Sequence, residues 1–417
     1  MLLRPLLHGQ GVTSCRLVRA YGVLTSQRRI LQAQCCEQMS LAKVDEARYG
    51  EQLSAKADKL REKFADFSLP ELEVFDSQTE HYRMRTEFRV WHEGPDLYYI
   101  MFQKPAGDSS KAHERVRVDQ FPVGSKLINE LMGKLMEEVK EHPAVLKEKL
   151  YQVNFHTTVS GQAMVTMIYH RKLGAEWIAA AQKLRKVLGA CPSSSQPSVH
   201  IVGRSRKQKV ELEAAHVIET FTVDGRQLTY KQVEGAFSQP NGGMCEKMLA
   251  WAKRMTRGSS EHDLLELYCG NGNFTIALAP NFRKVVATEL SKASVAAAEF
   301  NLEANDVTNV SVARLSAEDF TAAWRGKKDS RRAEGLNLKE HDLRTILVDP
   351  PRAGCDEQTN ELLRDFENIV YISCNPDTLH ANLQRMKETH KIRGFALFDQ
   401  FPYTEHIECG VYLQQRQ

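Results

Sequence analysis

The sequence lacks a long hydrophobic run: nowhere in its 417 residues do about 20 consecutive apolar side chains occur, the number that spans a bilayer as a helix. It also lacks any Cys-x-x-Cys pair among its nine cysteines. Zinc ribbons and iron–sulfur clusters need such spacing, so we expect no membrane span, no metal and no cluster. An odd, scattered set of cysteines argues against a disulfide framework and favours a reducing compartment.

Acidic residues are missing from the start of the chain, where Glu37 is the first and five arginines precede it. An Arg-containing, acid-free segment is typical of organellar transit peptides. We therefore predict that residues 1–36 are a leader for a mitochondrion or plastid; the alternatives are an extension without a targeting role and a cytoplasmic protein. Without those arginines, 51 of the 56 Lys and Arg residues remain against 53 Asp and Glu. Overall charge therefore gives no nucleic-acid signal, and RNA-binding cations would have to cluster locally.

The rest of the chain divides by pattern into two parts. Between 37 and 235, a helical period over 45–67 is followed by alternating segments, among them 82–91 and a hairpin over 150–170. From 236 to 417, strands and helices alternate, which predicts a parallel sheet with helices on both faces. The predicted fold class is α/β: a C-terminal Rossmann-like domain preceded by an N-terminal α+β region.

A glycine-rich turn, Cys-Gly-Asn-Gly-Asn, follows the predicted strand at 264–268. Gly270 opens a tight turn at which the backbone can approach a nucleotide closely. Thr275 stands where a dinucleotide-binding loop has a third glycine, which favours a nucleoside without phosphates. Glu289 ends the next predicted strand and suits paired ribose hydroxyls. This pattern predicts an S-adenosylmethionine site; the alternative is a structural turn with a surface glutamate.

Two further predicted strands end in reactive side chains. Asp349 begins Asp-Pro-Pro-Arg after the strand at 345–348, where the prolines restrict the backbone; the alternative is an ordinary turn initiator. Cys374 follows the strand at 369–373 and precedes Asn-Pro, which ends the strand. A lone cysteine is usually a small buried hydrophobe, but a thiol at a strand's carboxyl end points into the ligand crevice of an open α/β sheet.

Glu408 is the candidate base, because it stands between Ile407 and the apolar run at 409–411. Burial there would raise its pKa toward use as a base. Glu405 and His406 are rivals in more polar surroundings. A thiolate, a base and a methyl donor are what methylation of uracil carbon 5 requires. Thiolate addition to carbon 6 makes carbon 5 nucleophilic, and the base later removes the carbon-5 proton.

Four segments resemble the RNA uracil-5-methyltransferase family: Leu-Glu-Leu-Tyr-Cys-Gly-Asn-Gly-Asn-Phe, Val-Asp-Pro-Pro-Arg, Tyr-Ile-Ser-Cys-Asn-Pro and Phe-Pro-Tyr-Thr-Glu-His-Ile-Glu-Cys-Gly-Val. The segment His-Tyr-Arg-Met-Arg-Thr-Glu-Phe-Arg at 81–89 is similar to the family's bacterial tRNA-modifying branch, and the resemblance extends over 49–413. It implies that Cys374 is the nucleophile and Glu408 the base. The contacts it implies for S-adenosylmethionine are Gln239, Tyr268, Asn273, Glu289 and Asp349, beside the turn at Gly270.

The resemblance further implies conversion of the T-loop uridine of tRNA to ribothymidine by a monomeric enzyme. The chain lacks the N-terminal OB-type module and the cluster-binding cysteines of the rRNA-modifying branches, which favours tRNA. Two alternatives remain: methylation of rRNA or another stem-loop RNA, and a non-catalytic RNA-binding or RNA-folding protein. The second must explain why both reactive residues are present.

Candidate RNA-binding residues lie in the N-terminal part. Arg83, Arg85 and Arg89 share one face of the alternating segment and could hold phosphates or stack on bases. Tyr151 matches a position where the family places an aromatic ring near the target loop. A second basic cluster is predicted at a hairpin tip, with Arg204, Arg206, Lys207 and Lys209. For both clusters the alternative is a solvated charged surface.

Overall fold

The computed structural model describes residues 43–103, 114–141, 144–194, 199–326, 333 and 335–416. Ala42–Ile100 and Arg117–Gln417 form one compact unit, to which every site below belongs. A second, smaller unit contains 101–103 and 114–116 among the described residues. The predicted leader lies outside the described residues.

The strands and helices were numbered in chain order. The strands are β1 (Leu72–Phe75), β2 (Arg85–Glu93), β3 (Asp96–Gln103), β4 (Glu114–Arg117), β5 (Leu150–Thr157), β6 (Ala163–Tyr169), β7 (Val199–Ser205), β8 (Gln208–Leu212), β9 (His216–Val223), β10 (Arg226–Val233), β11 (Asp263–Leu267), β12 (Lys284–Thr288), β13 (Val310–Ala313), β14 (Leu343–Val348), β15 (Asn368–Ser373), β16 (His390–Phe398) and β17 (Glu408–Gln415). The helices are α1 (Tyr49–Lys63), α2 (Lys126–Glu141), α3 (Ala144–Lys147), α4 (Ala175–Leu188), α5 (Gly242–Met255), α6 (Asn273–Leu278), α7 (Lys292–Ala304), α8 (Ala317–Trp324), α9 (Glu357–Leu363) and α10 (Pro376–Gln384).

An eight-stranded sheet carries the candidate site. Its order is β1-β16-β17-β15-β14-β11-β12-β13. The strands from β15 to β13 are parallel, whereas β17 runs antiparallel to both of its neighbours. Parallel strands end at the same edge, so the residues that follow them meet there. The α/β class predicted from the alternating pattern is confirmed.

Both faces of this sheet are covered, as the apolar runs of its strands predict. Successive residues of β11 point to opposite faces: Leu265 packs with Leu60 of α1 and Phe320 of α8, whereas Leu264 packs with Leu249 of α5. All of these side chains are fully buried. Burial of each such side chain contributes about 1.5–3 kcal/mol, so the two cores hold the strand ends in a rigid frame.

A second sheet contains β2 to β8, and within the larger unit its order is β3-β2-β5-β6-β7-β8. The hairpin predicted over 150–170 is β5–β6. The helix expected over 45–67 is shorter, because a 3-10 turn at Glu46–Arg48 precedes α1. Strand β2 begins only at Arg85, since Arg83 makes isolated bridges to Gly124 and Asn241 instead of joining the ladder.

Several elements have no counterpart in the sequence prediction, among them β1 and the β9–β10 hairpin. Strand β1 pairs with β16, far away in the chain, so no local pattern reveals it. The β9–β10 hairpin is held by α7, where Asn305 Oδ1 accepts from the Thr229 N–H (2.8 Å) and Asn301 Oδ1 from the Lys231 N–H (2.6 Å). The predicted boundary between 235 and 236 stays a prediction.

Candidate active site at the edge of the eight-stranded sheet

Cys374 lies at the turn between β15 and α10. Asn375 caps α10, its side chain accepting from the Asp377 N–H (3.1 Å), and Pro376 occupies the first turn. This sharp strand-to-helix turn leaves the thiol at the sheet edge. Among the cysteines in the described ranges, Cys374 is half-buried and the others are buried, so its sulfur is the most open to a reactant.

Glu408 is the first residue of β17 and is buried, with 4% of its surface exposed. In the antiparallel ladder of β15 and β17, Ser373 lies opposite Cys409. One step further along that register, the next residue of each strand is Cys374 and Glu408. The antiparallel direction of β17 therefore brings the candidate nucleophile and the candidate base side by side.

The charges of Asp349 and Arg352 shift the pKa values of these two residues. Burial, then the carboxyls of Glu408 and Asp349, raises the pKa of the Cys374 thiol, while Arg352 lowers it. Burial and the neighbouring Asp349 raise the pKa of Glu408 well above its usual value, and Arg352 again opposes the shift. Burial raises the pKa of Asp349 to about 7. The site thus holds exchangeable protons near neutral pH.

The rival bases have different surroundings. The side chain of Glu405 is 96% exposed and lies 3.5 Å from Lys59 Nζ. Burial, then the nearby cations Arg352 and Lys56, lowers the pKa of His406 to about 4. A cleft of about 130 Å³ opens between α1 and the turn at Cys374, and both rivals line it.

The glycine turn has the backbone geometry that a nucleoside needs. Gly270 (φ 58°) and Gly272 (φ 81°) adopt left-handed conformations, and so does Tyr268 (φ 62°). A Cβ built at Gly270 meets nothing within 4 Å, so the turn borders open space. Glu289 is anchored beside it, since its carboxylate accepts from the N–H groups of Gly270 (3.1 Å) and Ser291 (2.6 Å).

Three more of the predicted cofactor contacts, Gln239, Asp349 and Asn273, have hydrogen-bond partners near this turn. Gln239 Nε2 donates to Asp349 Oδ2 at 3.4 Å. Asn273, the first residue of α6, has its side-chain amide against Cys245 Sγ (3.4–3.5 Å). The predicted contacts that follow β11, β12 and β14 or begin α6 therefore belong to one edge, and Gln239 joins them through Asp349. This donor set fits S-adenosylmethionine: carboxylates for hydroxyls and cationic groups, and an open glycine backbone for close approach.

The predicted RNA-binding residues have mixed environments. Arg83 is buried and its Nε donates to the Arg85 carbonyl (2.8 Å). Arg85 Nη1 donates to the Ala236 carbonyl (2.8 Å). Arg89 lies over the ring of Tyr151, 4.1 Å from its centroid, and Tyr151 is exposed. The first two arginines thus donate to backbone carbonyls, and the Arg89–Tyr151 pair faces solvent. The contact of all four residues with RNA stays a prediction.

The second basic cluster, on the β7–β8 hairpin, is partly neutralised. Arg204 Nε donates to Glu234 Oε1 (2.7 Å), and Lys209 Nζ lies 2.7 Å from Glu211 Oε1. Arg206 and Lys207 at the tip are exposed. Only the tip therefore offers charge to a phosphate.

Sequence reasoning assigned no role to three residues that the structure brings to this site. Arg352 follows Asp349 in a quoted motif, which was the available signal. Gln400 donates to Gln239 Oε1 (2.6 Å), and Lys56 of α1 reaches the segment before β17. No local pattern reveals the last two, because their partners are distant in the chain.

Two expected absences concern the described residues only. Among them, no helix is long and apolar enough to cross a membrane. The same residues contain no group of three or more His, Cys, Asp or Glu side chains that could hold a metal ion.

Fold and site together define a Rossmann-like methyltransferase. The family model for tRNA (Uracil-5-)-methyltransferase matches residues 48–416. The chain therefore belongs to the tRNA (uracil-5-)-methyltransferase family, which confirms the predicted enzyme, its reaction at carbon 5 of a tRNA uracil, and S-adenosylmethionine as methyl donor.

Curated relatives and a solved structure agree with this assignment. The tRNA/tmRNA (uracil-C(5))-methyltransferase of Chromohalobacter salexigens is 53% identical over 91% of this chain and 98% of its own. That of Shewanella loihica is 52% identical over 91% and 100%. The crystal structure of Pyrococcus abyssi tRNA (uracil-54, C5)-methyltransferase in complex with S-adenosyl-L-homocysteine has a TM-score of 0.63 at 20% identity, covering 88% of this chain and 83% of that one. The last comparison shows the shared fold.

Proposed function

We propose that this enzyme methylates carbon 5 of a uridine in the T loop of tRNA through a covalent adduct between Cys374 and the uracil. The observation that carries the proposal is the register of β15 and β17, which sets the half-buried thiol of Cys374 beside the buried carboxyl of Glu408. A nucleophile and a base on opposite sides of one ladder can act on adjacent carbons of one ring.

The first step is addition. The Cys374 sulfur, as the thiolate, forms a bond to carbon 6, and the electrons of the carbon 5–carbon 6 double bond move onto the conjugated carbonyl as an enolate. Burial holds the thiol protonated in the free protein, and Arg352 favours the thiolate. When bound, S-adenosylmethionine would supply the electrophilic methyl group that carbon 5 takes up, and S-adenosylhomocysteine would be the leaving group.

The second step is elimination. Carbon 5 now carries both the methyl group and its original proton. Glu408 takes that proton, the carbon 5–carbon 6 double bond reforms, and the bond to the Cys374 sulfur breaks with the electron pair returning to sulfur. A carboxyl with a raised pKa suits this task, because its ionised form is a stronger base than an ordinary carboxylate.

Six residues would hold the methyl donor: Gln239, Tyr268, Gly270, Asn273, Glu289 and Asp349. Glu289 is oriented by two backbone N–H groups and would accept from the ribose hydroxyls. Asp349 lies among the reacting groups and would attract the positive charge of the donor. Gly270 would let the nucleoside approach the backbone, since nothing occupies the space beside its α-carbon.

The covalent mechanism is tested with two variants, incubated with unmodified tRNA and S-adenosylmethionine and run on denaturing gels. Cys374→Ala should form neither adduct nor product. Glu408→Gln should add and methylate but fail to eliminate, leaving a shifted protein–RNA band and a turnover lower by ~10²–10⁴. A shifted band for Cys374→Ala would make another cysteine the nucleophile, and Cys409→Ala and Cys269→Ala identify it. Fast product release by Glu408→Gln, with a trapped band for Glu405→Gln or a His406 variant, would reassign the base.

The T-arm substrate is tested with labelled methyl donor. A hairpin with the sequence of the T arm should accept methyl groups at a single uridine, and the same hairpin with cytidine there should accept none. Methylation of rRNA fragments but not of the hairpin would support the alternative substrate. Binding without methylation of either RNA would favour the non-catalytic RNA-binding alternative. The names of both relatives also include tmRNA, which is a third RNA for the assay.

On the RNA side, we propose that Arg83, Arg85, Arg89 and Tyr151 contact the tRNA, together with the tip residues Arg206 and Lys207. Arg85 also positions the backbone at Ala236, whose carbonyl accepts from its Nη1. An unpaired base of the RNA would stack on the Arg89–Tyr151 pair. The enzyme is proposed to act as a monomer, which sedimentation of the free protein and its tRNA complex tests. An organellar address for residues 1–36 also stays a proposal, since the relatives named above are bacterial.

A further inference from the structure

Gln400 lies inside the candidate active site without being one of its predicted members. It follows β16 in the segment that leads to Glu408, and only 1% of its surface is exposed. Its Nε2 donates to Gln239 Oε1 at 2.6 Å. Its own Oε1 is buried and has no hydrogen-bond partner among the described residues. A buried amide that leaves its acceptor unpaired in order to donate needs an explanation.

The direction of the hydrogen bonds from Gln400 to Gln239 and from Gln239 to Asp349 supplies an explanation. Asp349, when ionised, can only accept, so Gln239 must turn its NH₂ group toward Asp349 Oδ2. The Gln239 carbonyl then points the other way. Gln400 meets that carbonyl with its NH₂ group, and its Oε1 is left over. Each amide orientation therefore follows from the one before it, starting at the carboxylate.

Gln239 would otherwise be free to rotate its amide by 180°. In the rotated state its carbonyl would face the Asp349 carboxylate, and no donor would reach Asp349 from this side. The donor from Gln400 stabilises one of the two orientations, because a carbonyl without that partner would be buried and unsatisfied. The backbone of Gln400 is itself fixed, since its N–H donates to the Phe398 carbonyl (2.8 Å).

We propose that Gln400 is a positioning residue, which locks the Gln239 amide with its NH₂ group toward Asp349 and so prepares the methyl-donor site. The inference rests on the proposed function, in which Gln239 and Asp349 contact S-adenosylmethionine. Gln400 acts through Gln239 and touches neither the donor nor the uracil.

The test is calorimetric binding of S-adenosylhomocysteine to the full chain, combined with steady-state kinetics. Gln400→Met keeps the length of the side chain but removes the donor, and it should raise the Kd about tenfold. The KM for S-adenosylmethionine should rise by the same factor while kcat changes by less than about twofold, the pattern of lost ground-state binding. Gln400→Leu, which also removes the donor, should behave like Gln400→Met; it also serves if Gln400→Met fails to fold.

The matched control is Gln208→Met, which removes a glutamine amide that pairs with the backbone of Leu173 on β8, the last strand of the second sheet. It should leave the Kd unchanged. In a double-mutant cycle with Gln239→Met, the Gln400 substitution should have no further effect once Gln239 is replaced.

Three outcomes would each contradict either the positioning role of Gln400 or the proposed function. Binding by Gln400→Met within about twofold of the unmodified chain, with weakened binding by Gln239→Met, would overturn the positioning role and leave the proposed function intact. Fully additive losses in the cycle would show that Gln400 does not act through Gln239, which also overturns it. No binding of S-adenosylhomocysteine by the unmodified chain would instead contradict the proposed function.

Discussion

Lys56 Nζ lies 2.8 Å from Asp399 Oδ1, and both side chains are buried. The two residues are 343 positions apart, one on α1 and the other at the start of the segment that leads to Glu408. Lys56 also donates to the Phe401 carbonyl (2.8 Å), and Gln52 to Asp399 Oδ2 (2.9 Å). Helix α1 thus holds in place the segment that carries both Gln400 and the candidate base.

Lys56→Met should destabilise the fold by about 3–5 kcal/mol, because it leaves the Asp399 carboxylate buried without its cation. Urea unfolding followed by circular dichroism measures the loss. Lys59→Met is the control: its pair with Glu405 is exposed and is worth less than about 1 kcal/mol. Adding Asp399→Leu to Lys56→Met should recover part of the stability. Equal unfolding midpoints for the two lysine variants would contradict the role assigned to Lys56.

Arg352→Met should move the rise of activity with pH to higher pH. Arg352 lowers the pKa values of both Cys374 and Glu408, so its loss raises both and leaves less thiolate and less carboxylate at a given pH. Single-turnover methylation between pH 6 and about 9.5 should show the largest deficit at the acidic end and recovery at the alkaline end.

The comparison for this prediction is Arg385→Met, which removes an exposed arginine paired with Glu357 outside the site. Its pH profile should match that of the unmodified chain. Arg352→Lys should reverse part of the shift in the pH profile, because it returns a positive charge to the site. A uniform loss at every pH would assign Arg352 to RNA or donor binding instead.

Glu266→Gln should remove a pH-dependent loss of stability. Glu266 in β11 is buried, and burial raises its pKa from 4.5 to about 8, although the Thr275 hydroxyl donates to it (2.6 Å). The unfolded chain ionises near pH 4.5 while the folded chain keeps its proton, so this group's contribution to stability is present below pH 4.5 and is lost as the pH rises through about 8.

The stability of the unmodified chain relative to Glu266→Gln should therefore fall across that window, by up to about 1.4 kcal/mol per pH unit. Urea titrations at several pH values give the difference. Glu299→Gln on the exposed face of α7 removes a carboxylate from water and is the control. A difference between Glu266→Gln and the unmodified chain that stays constant from pH 5 to about 8 would count against the raised pKa.

Removal of residues before about Ser40 should leave methylation unchanged, since the family match begins at residue 48. The assay compares turnover of the truncated and full-length proteins on the same tRNA. Fusion of residues 1–34 to a fluorescent reporter tests the address: organellar fluorescence is expected, and a diffuse cytosolic signal would reject it. Failure of the truncated protein to fold would show that the segment has a structural role.

Local sequence patterns were enough to identify the residues that end the central strands. Short apolar runs that stop at glycine or proline give a local signal, so Gly270, Asp349 and Cys374 could be placed at one sheet edge from the alternating pattern alone. The apolar neighbours of Glu408 likewise predicted its burial, which the structure shows at 4% exposure. The length of α1, the start of β2 and the β9–β10 hairpin were less well determined, because long-range pairings override local periodicity there.

The contacts between these side chains could be read only from the folded chain. Nothing local to residues 408–415 specifies that β17 inserts antiparallel between β15 and β16, yet that direction sets Glu408 beside Cys374. The Lys56–Asp399 ion pair and the Gln400–Gln239 hydrogen bond join residues far apart in the chain. Such contacts depend on how two sheet faces pack, a property of the whole fold, whereas strand ends are encoded by the few residues around them.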